Sequence, residues 1–153
     1  MTESSVAIII GCDHAAFGLK ETIKKYLTET ENIRVQDAGA HSEASVDYPD
    51  FGIKVAKAVS QKEFQKGILI CGTGIGMSMV ANRYPGVRAA LCNDLFAAAM
   101  SRKHNNANIL VMGGRVIGDV LALEIVRTWL STPFEGGRHQ KRLDKFDTIG
   151  CIA

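Results

Sequence analysis

Gly67-Ile68-Leu69-Ile70-Cys71-Gly72-Thr73-Gly74-Ile75-Gly76-Met77-Ser78 reads as a strand, a glycine-rich turn and the start of a helix. Gly67 to Ile70 is a short apolar run between breakers, as a buried strand requires. Three glycines then follow Cys71 at every second position, where they permit positive φ and close approach of a ligand to the backbone. From Ile75 to Asn82 the apolar residues Ile75 and Met79, with Met77 and Val80 beside them, fall at helical spacing. Unpaired N–H groups at such a helix start converge with the helix dipole on one spot and form an anion site. A thiol stands at its lip.

Outward from this stretch the pattern repeats. Val6 to Ile10 is a continuous apolar run of the kind found in parallel strands covered on both faces, and Gly11-Cys12-Asp13-His14 follows it. Phe17, Leu19, Ile23 and Leu27, with Lys20, Glu21, Lys24 and Lys25 between them, predict an amphipathic helix. Ile33 to Asp37 alternates like a strand near a sheet edge, and a polar loop from Ala38 to Val46 leads to Asp47-Tyr48-Pro49-Asp50. Asp47 is a suitable N-cap and proline suits a first turn, so a helix is expected from about Asp50 to Gln61. Val87 to Cys92 reads as a fourth strand, with Asn93-Asp94 capping a helix to Lys103. Ile109 to Met112 is a fifth strand, closed by Gly113-Gly114-Arg115. Val116 to Leu130 is a long helical pattern with Val120, Leu123, Ile125, Val126 and Leu130 on or near one face. After Pro133 and the hinge Glu135-Gly136-Gly137, a polar helix runs from Arg138 to about Thr148. Strand–helix alternation predicts one α/β domain over residues 1–153: a Rossmann-like, three-layer α/β/α fold with a five-stranded parallel sheet and a C-terminal helix. Ligands of such sheets bind beyond the carboxyl ends of the strands. Cys12, Asp13, His14, Cys71, Thr73, Cys92, Asp94, Gly113 and Arg115 all fall at or just past those ends.

Composition limits the function classes. The 153 residues, 46% hydrophobic and 22% charged, describe an ordinary globular domain. A net charge of +2 offers no footprint for nucleic acid or a membrane surface. No apolar run is long enough to span a bilayer, and the N-terminal Met1-Thr-Glu-Ser-Ser has no basic region of a signal peptide. Cys12, Cys71, Cys92 and Cys151 are widely spread without a C-x-x-C pair, which fits reduced thiols and a cytoplasmic address. Cys12, Cys92 and Cys151 read as inert, and His41 as a surface residue.

Three kinds of site compete on the residues alone. A dinucleotide site has Gly72-x-Gly74, and Asp94 lies roughly twenty residues on where a ribose-binding acid belongs. However, Met77 replaces the third glycine and the motif follows the third strand. A zinc site from Cys12, His14, Cys71 and Cys92 lacks paired spacing. The third is a reactive Cys71, placed where N–H groups stabilise negative charge on sulfur; its alternative is a buried strand residue. Arg138 and Arg142, four apart, share one helix face and suit a phosphate dianion, or else form a solvated basic face with His139 and Lys141. His104 ends a helix, a position that favours positive charge or simply a cap.

Five segments agree in order and spacing with a known family: Gly11-Cys12-Asp13-His14, Asp47-Tyr48-Pro49, Cys71-Gly72-Thr73-Gly74-Ile75-Gly76, Ser101-Arg102-Lys103-His104-Asn105 and Gly136-Gly137-Arg138-His139-x-x-Arg142. Through them the chain resembles the ribose 5-phosphate isomerase B family, which includes galactose-6-phosphate isomerase subunits. The resemblance implies aldose–ketose isomerisation through a cis-enediol, with neither metal nor cofactor. It implies that Cys71 is the base and that the amides of Gly72, Gly74, Ile75 and Gly76 hold the enediolate, with Thr73 beside the substrate. His104 would assist opening of the furanose ring, with Asn105 as its neighbour. Asp13 and Asp47 would meet substrate hydroxyls, and His14, Arg115, Arg138 and Arg142 the phosphate. One branch of the family uses a glutamate base where this chain has Met77, so the resemblance is to the cysteine branch. Similar proteins are homodimers, some paired into tetramers, with each site built from both subunits. A six-carbon substrate (allose or galactose 6-phosphate) and a non-catalytic sugar-phosphate sensor are the alternatives.

Overall fold

The computed structural model describes residues 7–150; Cys151 and residues 1–6 lie outside them. The elements follow as β1 (Ala7–Cys12), a 3-10 turn (His14–Ala16), α1 (Phe17–Glu29), β2 (Arg34–Asp37), α2 (Tyr48–Ser60), β3 (Lys66–Cys71), α3 (Ile75–Ala81), β4 (Ala89–Leu91), α4 (Leu95–Lys103), β5 (Ile109–Gly113), α5 (Asp119–Ser131) and α6 (Arg138–Phe146). All four strand pairs are parallel, in the order β2-β1-β3-β5-β4. The expected three-layer α/β/α fold is thus present.

Alternation along each strand divides the core. Ile8, Ile10, Cys12, Ile68, Ile70, Leu110 and Met112 face one side, together with Ile23 and Leu27 of α1, Ala98 of α4 and Trp129 of α5. Ile9, Leu69, Cys71, Ile109 and Val111 face the other, with Val55 and Val59 of α2 and Met77 of α3. Each fully buried Ile or Leu contributes roughly 1.5–3 kcal/mol, so the central strands β1, β3 and β5 form a rigid platform. From β1 the chain goes to β2 on one side and then crosses to β3 on the other, with β4 and β5 beyond it. That reversal puts the switch point, where open α/β sheets bind ligands, beyond the carboxyl ends of β1 and β3.

Several local expectations need correction. Helix α5 begins at Asp119, because Val116 and Ile117 donate to the Gly113 carbonyl in a turn (3.0 and 3.1 Å). Its buried residues are Ala122, Ile125, Val126 and Trp129, while Val120 is 80% exposed. In α3, Met77 and Ala81 are buried, whereas Ile75 and Met79, read only as apolar residues at helical spacing, are 50% and 64% exposed. Helix α2 starts at Tyr48 with Asp47 in the cap position, but the Asp47 side chain makes no capping bond. Helix α6 stops at Phe146.

Candidate active site

Cys71 closes β3, opposite Gly113 of β5. Its backbone is clamped from the β5 side: Gly114 N–H donates to the Cys71 carbonyl at 2.8 Å and Arg115 N–H to that of Gly72 at 2.9 Å. The thiol is 4% exposed, and Gly74 N–H donates to its sulfur at 3.2 Å. The three glycines serve different ends. Gly74 sits at φ +81°, where a β-carbon would lie 2.4 Å from Leu91 Cδ1 and 3.0 Å from the Met112 carbonyl. A β-carbon on Gly76 would come within 2.5 Å of the Tyr48 ring, so this glycine packs α3 against α2. Only Gly72 is open, facing the Arg115 side chain at 3.5 Å.

Not all loop amides are free as the sequence reading assumed. Gly74 N–H is engaged by the thiol, and Ile75 N–H donates to Thr73 Oγ1 at 3.2 Å. Gly76 and Met77, in the first turn of α3, have no intrahelical acceptor for their N–H groups.

The neighbouring strand end supplies further groups. Asp13 is 8% exposed and accepts from Ala15 N–H at 3.1 Å. His14 Nδ1 accepts from Val46 N–H at 3.1 Å, which makes Nε2 the N–H of the neutral ring. That bond draws the loop before α2 over β1 and brings the exposed Asp47 to the same rim. A second tie holds this loop. The fully buried Lys20 donates to both Asp37 carboxylate oxygens at 2.8 Å and to the Ala40 carbonyl. Burial pushes the Asp37 carboxyl up, but the bonds from Lys20, Lys24 and Gly39 N–H outweigh it and bring it down to about 2.

The other predicted residues stand elsewhere. Helix α4 starts beyond the carboxyl end of β4, with Asp94 accepting from Ala97 N–H at 2.7 Å, and runs back along the sheet. Its C-cap is His104, and Asn108 just beyond meets Gly67 at the start of β3 (2.9 Å). Gly67 to Cys71 spans roughly 13 Å of strand. His104 and Asn105 therefore lie at the end of the sheet opposite Cys71. Helix α6 belongs with them: Glu135 N–H donates to the Lys103 carbonyl at 3.1 Å, and His139 stacks on His104 with ring centroids 4.3 Å apart. Arg138 and Arg142 are exposed beside them. The candidate residues thus form two groups. Asp13, His14, Asp47, the Cys71–Gly76 loop and Arg115 make one; His104, Asn105, Arg138 and Arg142 make the other.

His139, read from sequence as part of a solvated face, is 4% exposed and anchors α6 with Leu143 one turn on. Its spacing to Leu143 was the available signal. Burial pushes the imidazole below its ordinary value; His104, Arg138 and Arg142 add to the effect and Glu135 opposes it. His104, Glu135 and His139 are also the one group of described residues whose donor atoms lie close enough together, within 4.8 Å, to hold a metal ion. The considered zinc set does not assemble. Cys12 and Cys92 are buried in one layer of the core while Cys71 faces the other. His41 is exposed as expected.

The model of the family described as Ribose/Galactose Isomerase matches residues 8–146. Ribose-5-phosphate isomerase B of Escherichia coli is 45% identical over 142 residues, covering 93% of this chain and 95% of its own. The chain belongs to the ribose 5-phosphate isomerase B family. It is an aldose–ketose isomerase of sugar phosphates. The solved ribose 5-phosphate isomerase of Thermotoga maritima superposes with a TM-score of 0.91 at 56% identity, over 94% of this chain and 99% of that one. A D-erythrulose-4-phosphate isomerase of Pectobacterium atrosepticum is 43% identical, covering 92% of each chain. Among the described residues no helix is long and apolar enough to cross a membrane.

Proposed function

We propose that the chain interconverts ribose 5-phosphate and ribulose 5-phosphate, with Cys71 as the base. One observation carries this reading: the Cys71 thiol ends a central strand at the switch point and receives a backbone N–H at 3.2 Å. Cys71 Sγ takes the proton from C2 of the open-chain aldose. The C2 electron pair forms the C1–C2 double bond, and O1 becomes an enediolate oxygen met by the loop N–H groups of Gly72, Gly76 and their neighbours. A proton then passes from O2 to O1, and the thiol returns its proton to C1 as the C2 carbonyl forms. Amides fixed before the reaction stabilise that oxygen without reorganising. Thr73 flanks the substrate, while Asp13 and Asp47 hold its hydroxyls. Arg115, His14, Arg138 and Arg142 bind the phosphate and align C1 and C2 with the sulfur. His104, with Asn105 beside it, assists ring opening.

The two groups of residues meet when two copies associate, and we propose a homodimer whose sites are shared. Ile75, Leu95, Phe96 and Val116 are 50%, 43%, 75% and 57% exposed, and all follow the carboxyl ends of β3, β4 and β5. A second copy covering this rim would bring its own His104 to Cys71. Reduced Cys12, Cys71 and Cys92 fit a cytoplasmic setting.

A shorter substrate is the second reading, favoured by the relative named for D-erythrulose 4-phosphate. The test is incubation with ribose 5-phosphate, D-erythrulose 4-phosphate and allose 6-phosphate in EDTA, following aldose–ketose conversion. Fastest turnover of ribose 5-phosphate, with solvent deuterium entering the ketose at C1, is the expected result. No turnover of any of the three would leave a sensor.

A further inference from the structure

A cavity rich in cationic side chains lies at the amino ends of the strands, away from Cys71. The cavity, of about 260 Å³, is lined by Lys62, Lys66, Arg88, Arg102, Asn106 and Asn108 among others. Neutral groups hold Arg102, and one of them also holds Arg88. Arg102 Nη1 donates to Asn106 Oδ1 at 3.0 Å and to the Ala107 carbonyl at 2.6 Å, and Arg88 Nε donates to the Asn106 carbonyl at 3.0 Å. Lys66 Nζ and the Arg102 guanidinium both lie over the buried Trp129 ring, at 5.5 and 5.7 Å. Among the described residues, none of the ion pairs within 4.0 Å includes Lys62, Lys66 or Arg102; Arg88 meets Asp147 at 3.7 Å. Burial, and then the Arg102 guanidinium, push the Lys66 ammonium below its ordinary value. Lys66 and Arg102 are thus like charges largely withdrawn from water with no acidic side chain paired to them, an unfavourable arrangement that an anion entering between them relieves.

We propose that this pocket binds a phosphate dianion, free or as the phosphoryl group of a small monoester. Cations arriving from several directions suit a tetrahedral dianion rather than a planar carboxylate, and the volume lies just below that of drug-sized pockets. Arg102 and Asn106 flank His104 and Asn105 in the chain. A bound anion therefore stiffens the segment that carries the ring-opening histidine; this last consequence alone rests on the function proposed above.

Inorganic phosphate binding, measured by calorimetry on wild type, Lys66→Met, Lys62→Gln and Arg142→Ala, tests the pocket. Methionine keeps an apolar stem over Trp129 while removing the charge, and Lys62 is exposed, so its variant covers any failure of the first to fold. Binding that survives Arg142→Ala and weakens at least about tenfold in Lys66→Met, with a smaller loss in Lys62→Gln, is expected. The Lys66→Met kcat without phosphate should stay within a fewfold of wild type. Wild-type isotherms in both lysine variants overturn the pocket. Failure of the active-site reading shows separately, as an Arg142→Ala isotherm identical to wild type.

Discussion

Cys71 differs from Cys12 and Cys92 in the side of the sheet its sulfur faces. Burial pushes the Cys12 and Cys92 thiols up to about 11; Cys71 ends β3 in the loop whose Gly74 N–H donates to its sulfur. General-base catalysis by a positioned group is worth roughly 10²–10⁴-fold. Cys71→Ser should therefore lose about that factor in kcat while still folding and binding phosphate, and exchange of the substrate C2 proton with solvent should fall equally. Cys12→Ala and Cys92→Ala should keep kcat within a fewfold. Iodoacetamide should inactivate wild type, and a bound sugar phosphate should protect it. Near-normal exchange in Cys71→Ser would move the base to Asp13 or Asp47. Residue types at strand ends made Cys71, Asp13 and His14 legible in the sequence, because strand periodicity and breaker positions mark those ends. The distinct duties of Gly74 and Gly76 were not legible, since what a β-carbon would strike depends on Leu91 and Tyr48, far along the chain.

At the scale of elements, the parallel strands were readable because their apolar runs are covered on both faces. Helix faces were less so. Ile75 and Met79 fall at helical spacing, yet the seven residues of α3 turn Met77 and Ala81 inward. His139 likewise hides in a run of charges. Its depressed imidazole has a consequence for pH. The unfolded chain takes up a proton near pH 6.5 while folded His139 resists it, so acid favours the undocked helix. Amide protection in Arg138–Phe146, taken relative to the intrinsic exchange rate at each pH, should fall between pH 7.5 and 5.5 and lose that dependence in His139→Asn. The Lys20–Asp37 tie acts in another window. Folded Asp37 ionises at about 2, below its unfolded value near 3.9, so its contribution is complete above that value and is lost as pH falls toward 2. Lys20→Met leaves the carboxylate half-buried without its main partner and should destabilise by about 3–5 kcal/mol in urea titrations, loosening the loop that carries Asp47.

At the scale of the whole molecule, one chain keeps its two sets of candidate site residues at opposite ends of a sheet roughly 13 Å deep. Five motifs in sequence order cannot reveal this, because linear spacing does not say which end of a helix returns to the ligand. Helix α4 carries His104 away from the Cys71 rim, so each complete site must draw on two copies if the proposed chemistry holds. A mixing experiment decides it. Cys71→Ser and His104→Asn homodimers should each be nearly inactive. After joint unfolding and refolding, about half of the dimers are mixed, and each mixed dimer has one site with Cys71 from one chain and His104 from the other. Its second site carries both substitutions. Recovery of about one quarter of wild-type activity is therefore expected from an equimolar mixture. If Cys71 and His104 served the same site within one chain, every chain in the mixture would remain defective, and refolding together would restore nothing.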